Sequence, residues 1–220
     1  MVDRQRATAR ELAQQFLAQG NPLGWFDALY ALARENPSLI PWAELRPNPH
    51  LIEWLDTQRM QGEGRKALKV GCGLGDDAEE LARRGLATTA FDVSETAIAW
   101  CRQRFAHTVV EYAVADLFAA PSRWDAAFDL VVEIYTLQVL AAALRPAAIR
   151  AITRFVRPGG TLLVIARGRE PADAEGNMPW PLTREELNAF TSCGLTEQAS
   201  RDFMDDEDPP VRRFLAWYTR

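Results

Sequence analysis

The chain predicts an open α/β fold, a mostly parallel sheet with helices on both faces. Three observations carry this expectation. From Lys66 onward short apolar runs alternate with helical patterns, as in a parallel sheet built by helical crossovers. The first run, Ala67-Leu68-Lys69-Val70, ends in Gly71, Gly73 and Gly75, and a helical pattern starts at Asp76. The second run, Ala87 to Phe91, ends at Asp92, about 20 residues further on, where a carboxylate can accept from ribose hydroxyls.

The elements follow in order. Residues from about Asp3 to Gln19 read as an amphipathic helix with Leu12, Phe16 and Leu17 on one side, and Gly20-Asn21-Pro22 ends it. Trp25 to Ala33 is a second helical pattern, apolar and aromatic. Pro37, Pro41, Pro47 and Pro49 punctuate a loop that carries Trp42, and Leu51-Ile52-Glu53-Trp54-Leu55 starts a third helix. This front segment is too small to stand alone. The expected division is a helical cap over 1–62 and a ligand-binding core over 63–220, with the cap covering the carboxyl ends of the sheet, where open α/β folds bind ligands. Strands are expected near 68–70, 88–91, 109–113, 130–133 and 162–166, and helices near 77–84, 94–105 and 145–155. Ser94 with Glu95 reads as a helix cap, and Thr183 with Glu186 as a capping box. Two last strands, near 195–199 and 213–218, predict a hairpin-like edge.

The glycines carry chemistry as well as a turn. Glycine adopts φ > 0 and lets a ligand approach the bare backbone, and the helix start offers free N–H groups. A pyrophosphate site wants G-x-G-x-x-G. Here the spacing is G-x-G-x-G, and Asp76 and Asp77 at the helix start would repel a pyrophosphate. A cationic nucleoside suits the site better, and S-adenosylmethionine carries a sulfonium and an ammonium.

Five ordered segments carry a family resemblance: Gly71-Cys72-Gly73-Leu74-Gly75; Phe91-Asp92-Val93-Ser94; Ala115-Asp116-Leu117-Phe118; Phe128-Asp129-Leu130-Val131-Val132-Glu133; and Arg157-Pro158-Gly159-Gly160-Thr161-Leu162-Leu163. From about Lys66 to Ala166 the chain resembles the class I S-adenosylmethionine-dependent methyltransferases. Its opening motif and Pro41-Trp42 are similar to the thiopurine methyltransferase type. The resemblance implies a Rossmann-like seven-stranded sheet with an antiparallel last strand. It also implies S-adenosyl-L-methionine as cofactor and S-adenosyl-L-homocysteine as product. Gly71, Cys72, Gly73 and Val93 then belong to the cofactor site, Asp92 accepts from the ribose, and Asp116 lies near the adenine amino group with Leu117 against the ring. The family often carries an acid two positions before the first glycine, where it holds the methionine ammonium. This chain has Lys69 there, so Asp76, Asp77 or Glu133 must take over.

Methyl transfer needs alignment and exclusion of water more than a dedicated catalyst. After the fourth strand, Glu133 and Tyr135 are the candidate catalytic residues. Glu133 either binds the ammonium or accepts a substrate proton, and Tyr135 and Gln138 shape the acceptor pocket. Trp25 and Trp42 are expected at the acceptor, with Trp54 and Trp180 as further aromatic candidates. Arg167, at the ligand-bearing end of the fifth strand, is a candidate for an anionic group or a thiolate. No N-P-P-Y, D-P-P-Y or Pro-Cys motif appears, which argues against methylation of adenine, glutamine or cytosine.

Bulk properties agree. The 220 residues fit one sizeable domain, 48% hydrophobic. A net charge of -5 argues against a nucleic-acid partner and leaves a small-molecule acceptor, a thiol or other soft nucleophile. Cys72, Cys101 and Cys193 are odd in number and widely spaced, as in a reduced cytoplasmic protein. No apolar stretch reaches the ~18 residues of a membrane span, and neither a signal peptide nor a metal site is expected. Oligomeric state stays open. A non-catalytic S-adenosylmethionine-binding protein and an NAD-dependent oxidoreductase are the alternatives.

Overall fold

The computed structural model describes residues 2–62 and 64–220. Its regular elements are α1 (Val2–Ala18), α2 (Gly24–Ala33), α3 (Pro49–Thr57), β1 (Lys66–Val70), α4 (Asp76–Arg83), β2 (Ala87–Asp92), α5 (Glu95–Arg104), β3 (Glu111–Val114), β4 (Phe128–Ile134), α6 (Arg145–Phe155), β5 (Val156–Arg167), α7 (Arg184–Ser192), β6 (Thr196–Met204) and β7 (Arg212–Thr219). The seven strands form one sheet in the order β3-β2-β1-β4-β5-β7-β6. β1 pairs with β4, β2 with β3, and β4 with β5, all in parallel. β7 runs antiparallel to both β5 and β6. The expected Rossmann-like fold is therefore present, with β7 as the reversed strand. Among the described residues no helix is long and apolar enough to cross a membrane, and no cluster of His, Cys, Asp or Glu could hold a metal ion.

The chain divides into two compact units, Met1–Gly64 with Gly71–Asp116 and Arg65–Val70 with Leu117–Arg220. In the first unit the glycine turn rests on a core of Cys72, Ala78, Ala90, Ile98, Cys101, Val110 and Tyr112. Ser94 caps α5 as its sequence predicts, accepting from the Ala97 N–H at 3.0 Å. Asn48 starts α3, accepting from the His50 N–H at 3.0 Å just before Pro49. The expected strand at 109–113 begins later, at Glu111, because the Thr108 hydroxyl accepts from the Val110 N–H at 3.0 Å and holds that backbone in a turn. Val109 is left 83% exposed.

Gly75 is more tightly constrained than Gly73. Its φ is +93°, and a Cβ there would lie 2.4 Å from the Tyr112 hydroxyl. Gly75→Ala is therefore expected to cost about 2 kcal/mol or more, from left-handed strain plus the clash. Denaturant unfolding of the variant checks this, and an unchanged midpoint would refute it.

In the second unit β1, β4 and the second half of β5 are buried on both faces and mostly apolar, with Lys69 and Glu133 as buried charged exceptions. The Arg157-Pro158-Gly159-Gly160 segment, expected as a turn before a strand, lies inside β5 as an irregularity. The register moves from Phe128↔Val156 to Leu130↔Thr161 across it. A Cβ on Gly160 would lie 2.8 Å from the Phe128 carbonyl oxygen, so the close strand approach requires glycine. α7 carries the expected Thr183–Glu186 capping box. The edge strand β6 is mostly exposed and charged, which discourages edge-to-edge pairing with another chain.

Candidate functional site

In the first unit the site is the turn that leaves β1 and the end of β2. Gly71, Gly73 and Gly75 all have positive φ, so the alternate glycine spacing is a conformational requirement. The Cys72 N–H donates to the Phe91 carbonyl at 2.9 Å, which ties the turn to the end of β2. Asp92 is buried, 8% exposed. One carboxylate oxygen accepts from the Gly73 N–H at 3.0 Å, and the other accepts from the Ser94 N–H at 3.0 Å. Asp92 therefore clamps the glycine turn to the start of α5. A carboxylate oxygen can accept more than one hydrogen bond, so clamping the turn does not by itself preclude a further donor. Val93 is half-buried beside it, and Asp116 is half-buried just past β3.

The acids at the start of α4 have partners within the chain. Both oxygens of Asp76 accept from Arg104 at 2.8 Å. Asp77 accepts from the Asn48 N–H at 2.8 Å, which links α4 to the cap of α3. The front segment is tied to the turn in a second way. Asp27 on α2 accepts from the Ser94 hydroxyl at 2.7 Å and the Thr96 N–H at 3.0 Å. Burial pushes the Asp27 carboxyl up, but the bonds from Thr96 and Ser94 outweigh it and hold the group below its ordinary range. Nothing in the sequence marks Asp27, because its partners lie 67 and 69 residues away.

An aromatic cluster completes this unit. Trp25 stacks on Phe26 at 3.9 Å and meets Trp42 edge-on at 6.0 Å. Trp42 donates its indole N–H to the Tyr30 hydroxyl at 2.8 Å. Trp25 is only 1% exposed and supports the cluster from within, whereas Trp42 is half-buried. Trp54 is buried as well. Tyr30 has no sequence signal beyond its place in an aromatic helix.

In the second unit Glu133 is the last residue but one of β4, in register with Val70 of β1. It is fully buried. Oε1 accepts from the Thr136 N–H at 2.7 Å and the Leu137 N–H at 3.0 Å, so the carboxylate caps the turn that follows its own strand. Among the described residues Oε2 has no hydrogen-bond partner, and it is buried. Burial pushes the Glu133 carboxyl up to about 7, against the pull of the bond from Leu137 and the positive charge of Lys69. Lys69 is 2% exposed and donates to the Val70 carbonyl at 3.0 Å.

Tyr135 has φ +66°, a strained value for a side chain of this size. The Arg213 guanidinium lies over its ring, 4.8 Å from the centroid. Arg213 is itself buried and ion-paired to Asp205, at 2.6 Å, and to Glu207, both in the acidic loop Asp205-Asp206-Glu207-Asp208 between β6 and β7. The Gln138 side chain accepts from the Arg167 N–H at 2.7 Å, and its carbonyl accepts from the Trp180 N–H at 2.7 Å. Gln138 thus ties the end of β5 and the loop that carries Trp180 to the turn after β4. Arg167 is half-buried, with a nitrogen 4.0 Å from Glu207. Leu117 is buried in this unit, 8% exposed. Arg213 and the acidic loop had no sequence signal beyond charge.

Residues 67–160 match a family model described as a methyltransferase domain. A ubiquinone biosynthesis O-methyltransferase of Pseudomonas entomophila (strain L48) is 34% identical over 117 residues, 52% of this chain and 49% of that protein. The chain thus spans about half the length of this curated relative. A solved structure titled for the conversion of a disulfide bond into a thioacetal group during echinomycin biosynthesis superposes with a TM-score of 0.72 and 23% identity, covering 90% of this chain and 91% of that one. The Burkholderia thailandensis 1,6-didemethyltoxoflavin-N1-methyltransferase, solved with S-adenosylhomocysteine, superposes with a TM-score of 0.70 and 17% identity, covering 89% of this chain and 86% of that one. At these identities the structural likeness establishes the fold.

Proposed function

We propose that the chain is an S-adenosylmethionine-dependent methyltransferase of a small-molecule acceptor. The observation that carries this is the buried Asp92 carboxylate, fixed at the end of β2 by the Gly73 and Ser94 N–H groups. A carboxylate oxygen can accept more than one hydrogen bond, and this carboxylate stands beside a turn whose three glycines all have positive φ. The fit to a cationic nucleoside has a second support. Glu133 holds a buried oxygen with no partner among the described residues, which an ammonium or a proton would satisfy.

In this reading residues 1–62 form the cap segment of a core over 63–220. Gly71, Cys72, Gly73, Asp77, Asp92, Val93, Asp116 and Leu117 belong to the cofactor site, and Trp25, Trp42, Gln138 and Arg167 to the acceptor side. The bound cofactor would supply an electrophilic methyl on a sulfonium. The protein's own work is to orient, to exclude water and, through Glu133, to hold a positive charge or take a proton. The acceptor is proposed as a small molecule with an oxygen or a soft sulfur nucleophile, with no nucleic acid and no membrane involved, in the cytoplasm. The likeness to an O-methyltransferase and to the disulfide-to-thioacetal structure supports those two atoms. A likeness to the thiopurine type is part of the same proposal, supported by Pro41-Trp42 and the glycine motif alone.

Calorimetric titration with S-adenosylmethionine, S-adenosylhomocysteine and NAD tests the reading. Micromolar binding of the first two and none of NAD is expected, a range typical of enzyme ligands. Binding of NAD alone would sink it.

A further inference from the structure

Tyr30 is a buried, fixed polar group beside the glycine turn. Its ring meets Trp42 edge-on at 6.1 Å and Trp100 edge-on at 6.1 Å. It is 1% exposed. Its hydroxyl oxygen accepts the Trp42 indole N–H at 2.8 Å. Trp42 is held in turn by Trp25 and Phe26. A phenol has one proton to donate, and among the described residues this one has no acceptor. A buried donor in that state is destabilising until a ligand supplies the acceptor.

The position of the hydroxyl says which ligand atom. A carbon added to Gly73 would lie 3.4 Å from the Tyr30 oxygen and 3.8 Å from the Trp42 ring. Glycine, at φ +55°, therefore leaves open the space over which the hydroxyl stands. Burial, and next the charge of Asp92, push the phenol well above its ordinary range, so it keeps its proton. The indole N–H polarises the O–H bond and makes it a better donor to an anion. Asp92 already offers acceptors for ribose hydroxyls. A fixed donor alongside calls for an acceptor that carries no proton, which in an amino-acid nucleoside is the carboxylate.

We propose that Tyr30, oriented by Trp42, binds the α-carboxylate of the methionyl part of the cofactor at the glycine turn. This rests on the cofactor reading above. It gives the front segment a binding role, since α2 then supplies a donor that no glycine-motif residue provides.

Calorimetric titration of the full chain, wild type and Tyr30→Phe, tests this with two probes. S-adenosylhomocysteine carries the carboxylate. 5′-Methylthioadenosine has the same adenosine and thioether without the amino acid. Tyr30→Phe is expected to weaken S-adenosylhomocysteine by about tenfold or more and to leave 5′-methylthioadenosine within about twofold. Trp42→Phe, which frees the hydroxyl to turn, is expected to weaken only S-adenosylhomocysteine, by about threefold. It carries the test alone if the Tyr30 variant does not fold. Unchanged affinity for S-adenosylhomocysteine, or equal loss for both probes, overturns the proposal and leaves the cofactor reading intact. A wild-type chain that binds neither probe overturns the cofactor reading, and this inference with it.

Discussion

Asp92→Ala is expected to weaken S-adenosylhomocysteine more than about tenfold, because a buried hydroxyl pair would lose its acceptor. The structure adds a second effect to the same substitution. The Gly73 and Ser94 N–H groups both donate to this carboxylate, and its removal leaves two buried donors unsatisfied. A stability loss on the order of 2 kcal/mol or more is expected with the loss of affinity. The two effects separate by comparing Asp92→Ala with Gly75→Ala, which strains the same turn and leaves the carboxylate in place. Calorimetry and thermal melting on both variants decide. If the glycine variant loses as much affinity as the aspartate variant, Asp92 is a turn clamp only.

Glu133→Gln is expected to change the pH dependence of both stability and function. The folded carboxyl sits at about 7, above the ordinary value for an exposed one. The unfolded chain therefore releases this proton first as pH rises. Stability contributed by the protonated group is complete below the unfolded pKa near 4.3 and is lost as pH rises through about 7, a fall on the order of 3 kcal/mol. The glutamine variant lacks that fall, and denaturant unfolding at pH 5 and pH 8 measures the difference.

Two roles for the free oxygen leave opposite signatures. As a proton acceptor, Glu133 makes kcat rise with pH through about 7, and Glu133→Gln lowers kcat by about 100-fold. As the ammonium partner, it makes cofactor affinity rise over the same range with release of a proton, and the variant loses affinity while kcat at saturation holds. A variant with flat, wild-type behaviour in both would remove Glu133 from the site.

Much of this was legible in the chain. The alternation of apolar runs and helical patterns is a local property, so the order of elements from Lys66 onward is written in the sequence. Gly71, Gly73 and Gly75 are legible for a similar reason, since a run of positive φ values admits little else. Thr183 and Glu186 form their capping box across three residues. The edges of elements were less legible. Val109 looks like a strand residue, but the Thr108 hydroxyl takes the next N–H. Arg157 to Gly160 looks like a turn, but it lies inside β5 as an irregularity beside β4.

What the sequence by itself determined is the fold class, the glycine turn and the place of Asp92, because each follows from spacing within about 20 residues. What only the tertiary structure decided is what those groups do to one another. Trp42 meets Tyr30 across 12 residues, Asp27 meets Ser94 across 67, and Arg104 meets Asp76 across 28. The raised carboxyl of Glu133 has the same origin, since it depends on burial and on Lys69 of the neighbouring strand. Such pairings depend on how the chain folds back on itself, and desolvation depends on everything packed around a group.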